Sequence, residues 1–359
     1  MNAWPEYLKL AVRLVRRKSL NYLIFYVTAA CDSRCRMCFN WAYEKRLGKE
    51  KELSINEIDA FSSKLGSLAY VTLGGGEPFL RQDLAEICKI FLRNNDVMVL
   101  SIPTNALHPE KIRNLVEEVF SENRCVILRI SLSLDGVGAE HDEIRGVPGN
   151  FEKLLESYSV LANLREKNPN LEILVNTTFS KFNQEKMSEI YNYVKENMYV
   201  DMFGVTLIRG SPREKEATNI SPEKYIEFVS FLEKEYKKKK FRLTHPFEKL
   251  LQATPILTRR IITDTLQKNT SLFKCHALRD FTVIDSFGDI YACEMLNSKI
   301  GNLRKEDYNL KKILKSEKAQ KMRKKIKEEN CYCTWECAIQ NSIIYDLKKY
   351  PWIIYNTIT

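Results

Sequence analysis

Cys31, Cys35 and Cys38 occupy one short loop with the spacing C-x3-C-x2-C, directly behind the apolar run Tyr22 to Thr28. Three thiols this close constrain the fold strongly, because the loop must gather them at one point and the run before it must hold the loop there. Five further cysteines fall into two later groups, Cys275 with Cys293, and Cys331 and Cys333 with Cys337. Grouping at short spacing points to metal rather than to disulfides, and reduced clustered thiols point to the cytoplasm. The last two of the ten, Cys88 and Cys125, lie in apolar segments where a buried structural thiol is expected. Arg16-Arg17-Lys18 and the apolar stretch up to Ala30 imitate a lipoprotein signal ahead of Cys31. That reading is set aside, because the basic region is too long and cleavage would leave Cys31 at a chain end.

With 359 residues, 44% of them hydrophobic and 28% charged, the chain has the makings of a folded protein with one large domain and a smaller one. Its longest charge-free apolar run lies between Lys18 and Asp32, short of the roughly 18 residues of a membrane span. From residue 22 onward, short β-branched or aromatic runs alternate with longer helical periods, the pattern of a parallel sheet made of βα units. Strands are expected at Tyr22 to Thr28, Tyr70 to Leu73, Val97 to Ile102, Val126 to Leu134, Leu171 to Phe179 and Met202 to Ile208. Helices are expected at Ser54 to Leu65, Gln82 to Arg93, Pro109 to Phe120, Phe151 to Glu166 and Gln184 to Asn197, the first capped by Ser54 with Glu57 three residues on. Six such units predict an α/β fold, a partial (β/α)6 TIM-like barrel over residues 21–212. A helical bridge is expected over 213–272, opened by a charged helix from Pro222 to Lys240. Residues 273–359 then begin with a hairpin, Phe281 to Asp285 and Asp289 to Cys293, and end in a lysine-rich helix and the last cysteines.

A 4Fe-4S cubane usually takes four cysteines, so the three of the first loop leave one iron open to an exogenous ligand. Zinc is the alternative, but its thiolate sites are usually built from paired C-x2-C knuckles. The motif, with Phe39 beside its last cysteine, resembles that of the radical S-adenosylmethionine superfamily. The second carrier of the resemblance is Leu73-Gly74-Gly75-Gly76-Glu77-Pro78 at the second strand's end, which is similar to the family's GGEP edge. Glycines there leave main-chain groups bare for a ligand's close approach, and the resemblance assigns this edge to the amino group of S-adenosylmethionine. Thr104-Asn105, Ser131 to Gly136 and His141 to Gly146 also resemble family positions. The resemblance implies that Ser133 meets the ribose region, that Arg145 meets the cofactor carboxylate, and that Asn105 and Asn176 belong to the same site. Ala106 stands where the family often has glycine. For His141 a structural role is expected.

Cys275-x12-Gly288-x4-Cys293 resembles the opening of a SPASM or twitch extension, and implies an auxiliary Fe–S cluster completed from Cys331, Cys333 and Cys337. Five thiols suggest one such cluster with one thiol to spare; Cys331 and Cys333 compete, since a one-residue spacer is tight for two cubane corners. Zinc stays open here as well.

The resemblance implies reductive cleavage of S-adenosylmethionine, abstraction of a substrate hydrogen, and a low-potential electron donor such as a flavodoxin or ferredoxin. The substrate class is open among a peptide, a small metabolite and a lipid-linked molecule. The alternative is a non-catalytic zinc or Fe–S scaffold or electron carrier. A net charge of +10 favours anionic partners without choosing one, and no nucleic-acid motif accompanies it. Leu8, Ala11, Leu14 and Val15 beside Lys9, Arg13, Arg16 and Arg17 make a basic amphipathic helix over residues 1–20, which with the aromatic stretch Tyr350 to Tyr355 would allow peripheral association with the inner membrane face.

Overall fold

The computed structural model describes residues 20–238, 246–268, 270, 272–329, 331, 333–344 and 351. The expected N-terminal helix and aromatic tail lie outside them, Leu20 and Pro351 apart. Among the described residues no helix is long and apolar enough to cross a membrane.

Strands β1 (Tyr22–Thr28), β2 (Tyr70–Gly75), β3 (Val99–Thr104), β4 (Ile127–Ser133), β5 (Leu171–Phe179) and β6 (Met202–Leu207) are parallel neighbours in sequence order. Helices α1 (Trp41–Glu44) and α2 (Ile55–Ser62) lie between β1 and β2. Next come α3 (Leu84–Asn95), α4 (Pro109–Glu122), α5 (Ala139–Arg145), α6 (Asn150–Lys167) and α7 (Met187–Asn197). The result is an α/β sheet of partial-barrel type that does not close. Every β1 residue is buried, so the strand reads as one continuous apolar run. Ser54 caps α2 in the box that its spacing from Glu57 predicts. Phe25, Phe61 and Phe91 join β1, α2 and α3, with ring centroids 5.6 to 6.2 Å apart.

Beyond β6, α8 (Pro222–Lys238) and α9 (Pro246–Lys268) form the bridge. The hairpin follows as β7 (Phe281–Ile284) and β8 (Asp289–Tyr291), then comes β9 (Lys299–Asn302), which lacks a sequence signal because Gly301 and Asn302 break its apolar pattern. The lysine-rich segment is split in two, α10 (Leu310–Lys315) and α11 (Glu317–Glu328), at Ser316, whose side chain caps the second helix. Helix α12 (Glu336–Ile344) carries the last cysteine. Cys88 is fully buried as expected. Cys125 is exposed instead, because it precedes β4 in the turn where Asn123 takes its N–H.

The smaller unit is not an appendage. β7 pairs in parallel with β1, from Tyr22 opposite Phe281 to Phe25 opposite Ile284, extending the barrel sheet to nine strands. Arg46 locks the joint: its guanidinium donates to Asp285 at 2.6 Å and Asp289 at 3.0 Å, and lies 4.0 Å over the Phe287 ring. The Asp285 side chain is fully buried. Removing a buried charge's partner costs about 3 kcal/mol, so Arg46→Met should lower unfolding stability by that order in urea titration, with Arg46→Lys between. An unchanged midpoint would show the pair to be dispensable.

Candidate active site

The cysteine loop springs from the carboxyl end of β1 and is held from three sides. The N–H groups of Arg34 and Arg36 donate to the carbonyls of Arg145 and Ile144, both at 3.0 Å, fixing the loop to the end of α5. Asn105 donates to Asp32 (2.7 Å) and Ser33 (2.8 Å), while His108 meets the other Asp32 oxygen at 2.7 Å. On the third side, the N–H groups of Arg213 and Glu214 donate to the carbonyls of Cys38 and Arg36. Asn105 therefore serves as a brace of the loop. Ala106 adopts the left-handed conformation of the glycine it replaces, φ 64°, held by Thr104 and by Ser157, which donates to its carbonyl.

The glycine edge lies against the root of this loop. Gly76 and Glu77 donate their N–H groups to the carbonyls of Thr28 and Ala30 at 2.8 Å. A Cβ on Gly75 would stand 2.3 Å from the Thr28 oxygen, and one on Gly76 2.0 Å from that of Ala30, so neither position admits a side chain. Glu77 turns inward and accepts from Thr104 and from the N–H groups of Phe79 and Asn105. Burial pushes its carboxyl up to about 7 against those hydrogen bonds. Pro78 opens the single helical turn that follows. Beside Gly75 and Gly76 is a narrow crevice, lined also by Tyr26, Asn40, Tyr43 and Ser286. The Asn40 amide donates to the Gly75 carbonyl, and its buried oxygen has no hydrogen-bond partner.

Arg145 is anchored to the buried Asp135 at 3.1 Å, and its Nε has no hydrogen-bond partner. Burial works against its charge, but Cys35, Asp135 and Cys31 drive the net shift upward, so it stands charged beside the thiols. Ser133, the last residue of β4, is opposite Asn176 within β5, and the Asn176 oxygen accepts from Thr206. Phe39 packs instead on Gly210 and stacks 4.9 Å from the Arg209 guanidinium. His141 is fully buried, and its Nδ1 accepts from the Asp135 N–H. Burial, helped by Arg145, pushes its pKa down to about 3.

All ten cysteines are unbonded. Burial pushes the Cys31 thiol up to about 12 and Cys35 to about 11, and raises Cys38. Such thiols ionise only against a strong local positive charge, the condition a metal centre supplies. In the second group, Cys333 responds to Cys275, Cys293 and Cys331, and Cys293 to Cys275 and Cys331. Burial pushes the Cys337 thiol up to about 12, and the charged groups beside it are Glu294, Arg209 and Glu336, with the Tyr22 hydroxyl in hydrogen-bond reach. Cys337 thus lies in a more polar setting than Cys275, Cys293 and Cys333. Among the described residues no three His, Cys, Asp or Glu side chains converge on one bare-ion site.

Two family models match this chain: the radical SAM superfamily over residues 25–194, and SPASM, an iron-sulfur cluster-binding domain, over 275–338. The chain belongs to the radical SAM superfamily. It is an enzyme of the SPASM-bearing kind, which implies a 4Fe-4S cluster, S-adenosylmethionine and auxiliary Fe–S binding. An AdoMet-dependent heme synthase of Methanosarcina barkeri is 26% identical over 290 residues, covering 79% of each chain. A GTP 3',8-cyclase of Clostridium perfringens is 25% identical over 185 residues, covering 50% of this chain and 53% of its own. In fold, anSMEcpe with bound AdoMet superposes with a TM-score of 0.61 at 15% identity over 95% of this chain and 96% of its own. Streptococcus suis SuiB bound to S-adenosylmethionine gives 0.58 at 16%, over 87% and 70%.

A methyl at Gly76 must push the glycine edge off Ala30. Gly76→Ala should therefore cut S-adenosylmethionine cleavage about a hundredfold, the cost of roughly 1 Å of misplacement, while auxiliary iron is retained; unchanged turnover would remove this edge from the site. Because His141 binds its proton less readily folded than unfolded, it contributes stability at neutral pH that is lost as pH falls from about 6.5 toward 3. Denaturation across that window should show a shallower acid loss in His141→Gln than in the parent protein, and parallel curves would refute the assignment.

Proposed function

We propose that Cys31, Cys35 and Cys38 hold a 4Fe-4S cluster with one open corner, and that Cys275, Cys293, Cys331 and Cys333 hold one auxiliary cluster. The observation that carries the first assignment is the closure of the cysteine loop onto the glycine edge and Arg145, a union that neither a zinc staple nor an electron carrier requires. When bound and reduced, the first cluster supplies the electron that cleaves S-adenosylmethionine to the radical that abstracts a substrate hydrogen. The chain's own part is to bind and align. Main-chain groups at Gly75 and Gly76 receive the cofactor's amino group, the charged Arg145 receives its carboxylate, and Ser133 and Asn176 flank its ribose. Asn105, Asp32 and His108 keep the loop from shifting, and Glu77 braces the edge from behind.

The substrate occupies the barrel lumen between the two groups of thiols, and a low-potential flavodoxin- or ferredoxin-type protein delivers the electron. A relative that covers 79% of this chain is a heme synthase, which makes a haem precursor the first substrate to test, ahead of a peptide or a lipid-linked molecule.

The decisive experiment is anaerobic reconstitution, iron and sulfide counting, and assay for 5′-deoxyadenosine with S-adenosylmethionine and a strong reductant. About eight irons per chain are expected. Cys35→Ala should abolish deoxyadenosine, Cys333→Ala should lose about four irons, and Cys337→Ala should keep all eight. Bound zinc without cofactor cleavage would sink the reading.

A further inference from the structure

One buried side chain touches the neighbourhoods of both groups of thiols and has no part in the scheme above. Arg209 follows β6 at the barrel's carboxyl end, with its side chain 15% exposed. Its Nη2 donates to Glu294 at 2.7 Å, and its Nη1 stands 3.6 Å from Glu336. Glu294 is the residue after Cys293, and Glu336 the residue before Cys337. The guanidinium plane lies 4.9 Å from the ring of Phe39, the residue after Cys38. Both carboxylates are held from their far sides, Glu294 by the Tyr26 hydroxyl at 2.8 Å and Glu336 by the Leu207 N–H at 2.8 Å. Arg209 thus meets the immediate chain neighbours of three thiols that come from three distant stretches of sequence. Its Nε is buried without a hydrogen-bond partner, a rare and costly condition.

Resting on the two-cluster reading, we infer that Arg209 is a positioning residue that ties the radical-cluster loop to the auxiliary-cluster loops and sets the electrostatic field at the auxiliary cluster. A positive charge largely withdrawn from water acts more strongly over short distances than one at the surface. Net charge and hydrogen bonding around a cluster are the protein's means of setting its reduction potential. The guanidinium hydrogen-bonds Glu294 with one arm and pairs ionically with Glu336 through the other, with the Phe39 ring 4.9 Å away; an ammonium carries the charge but not the fork. Charge and alignment can therefore be separated by substitution.

The test compares wild type, Arg209→Met and Arg209→Lys as reconstituted full-length proteins, by iron count and EPR-monitored redox titration with no substrate added. The expected result is about eight irons in all three, a lower auxiliary-cluster midpoint in Arg209→Met, and recovery toward wild type in Arg209→Lys. Deoxyadenosine formation should fall in both variants, because neither restores the bridge. Equal midpoints at full iron loading would overturn the inference, as would iron loss of the same size in both variants, which marks Arg209 as only a folding contact. A wild-type protein that loads no iron and makes no deoxyadenosine would overturn the functional reading and this inference with it.

Discussion

Everything at the site depends on the main-chain pairing of β1 on both its edges. One edge bonds to β2, which brings the glycine edge against the root of the cysteine loop. The other bonds to β7, which starts the auxiliary unit. Hydrogen-bonded register is far less adjustable than side-chain packing, since a slip of one residue would reverse every inward-facing side chain. Tyr22 and Tyr26, four residues apart along one face of β1, thereby meet Cys337 and Glu294 respectively. The distance between the two groups of thiols is set by a strand, not by a linker.

The charge pattern follows from the same geometry. The loops that carry the thiols are buried, so their ionic partners must be supplied locally, and each region has its own arginine: Arg145 beside Cys35, Arg209 beside Glu294 and Glu336, Arg46 between Asp285 and Asp289. Burial alone would keep the thiols protonated and inert. The exposed lysines of α11, by contrast, pair with glutamates one turn away and have little bearing on the site.

The sequence was most legible where function and local structure coincide. The six parallel strands followed from β-branched runs, and the cysteine spacing and glycine edge were visible because each lies within a few consecutive residues. Strand ends slipped by up to two residues, as at β3, because terminal pairing depends on the neighbouring strand rather than on propensity. β9 was hidden, since its partner is chosen by the hairpin before it. The lumenal network was hidden too: nothing at Arg209 alone foretells that two glutamates more than eighty residues away will flank it. A cue was nonetheless available, for both glutamates are immediate neighbours of grouped cysteines.

The turn at Ala106 has a different kind of consequence. Glycine there would reach the left-handed conformation freely and leave it as freely. Alanine reaches it only under strain, and here the surrounding hydrogen bonds leave the peptide no second basin. The strain of a left-handed alanine is thus placed where it fixes the direction of Asn105, the residue whose amide holds Asp32 and Ser33 of the cysteine loop.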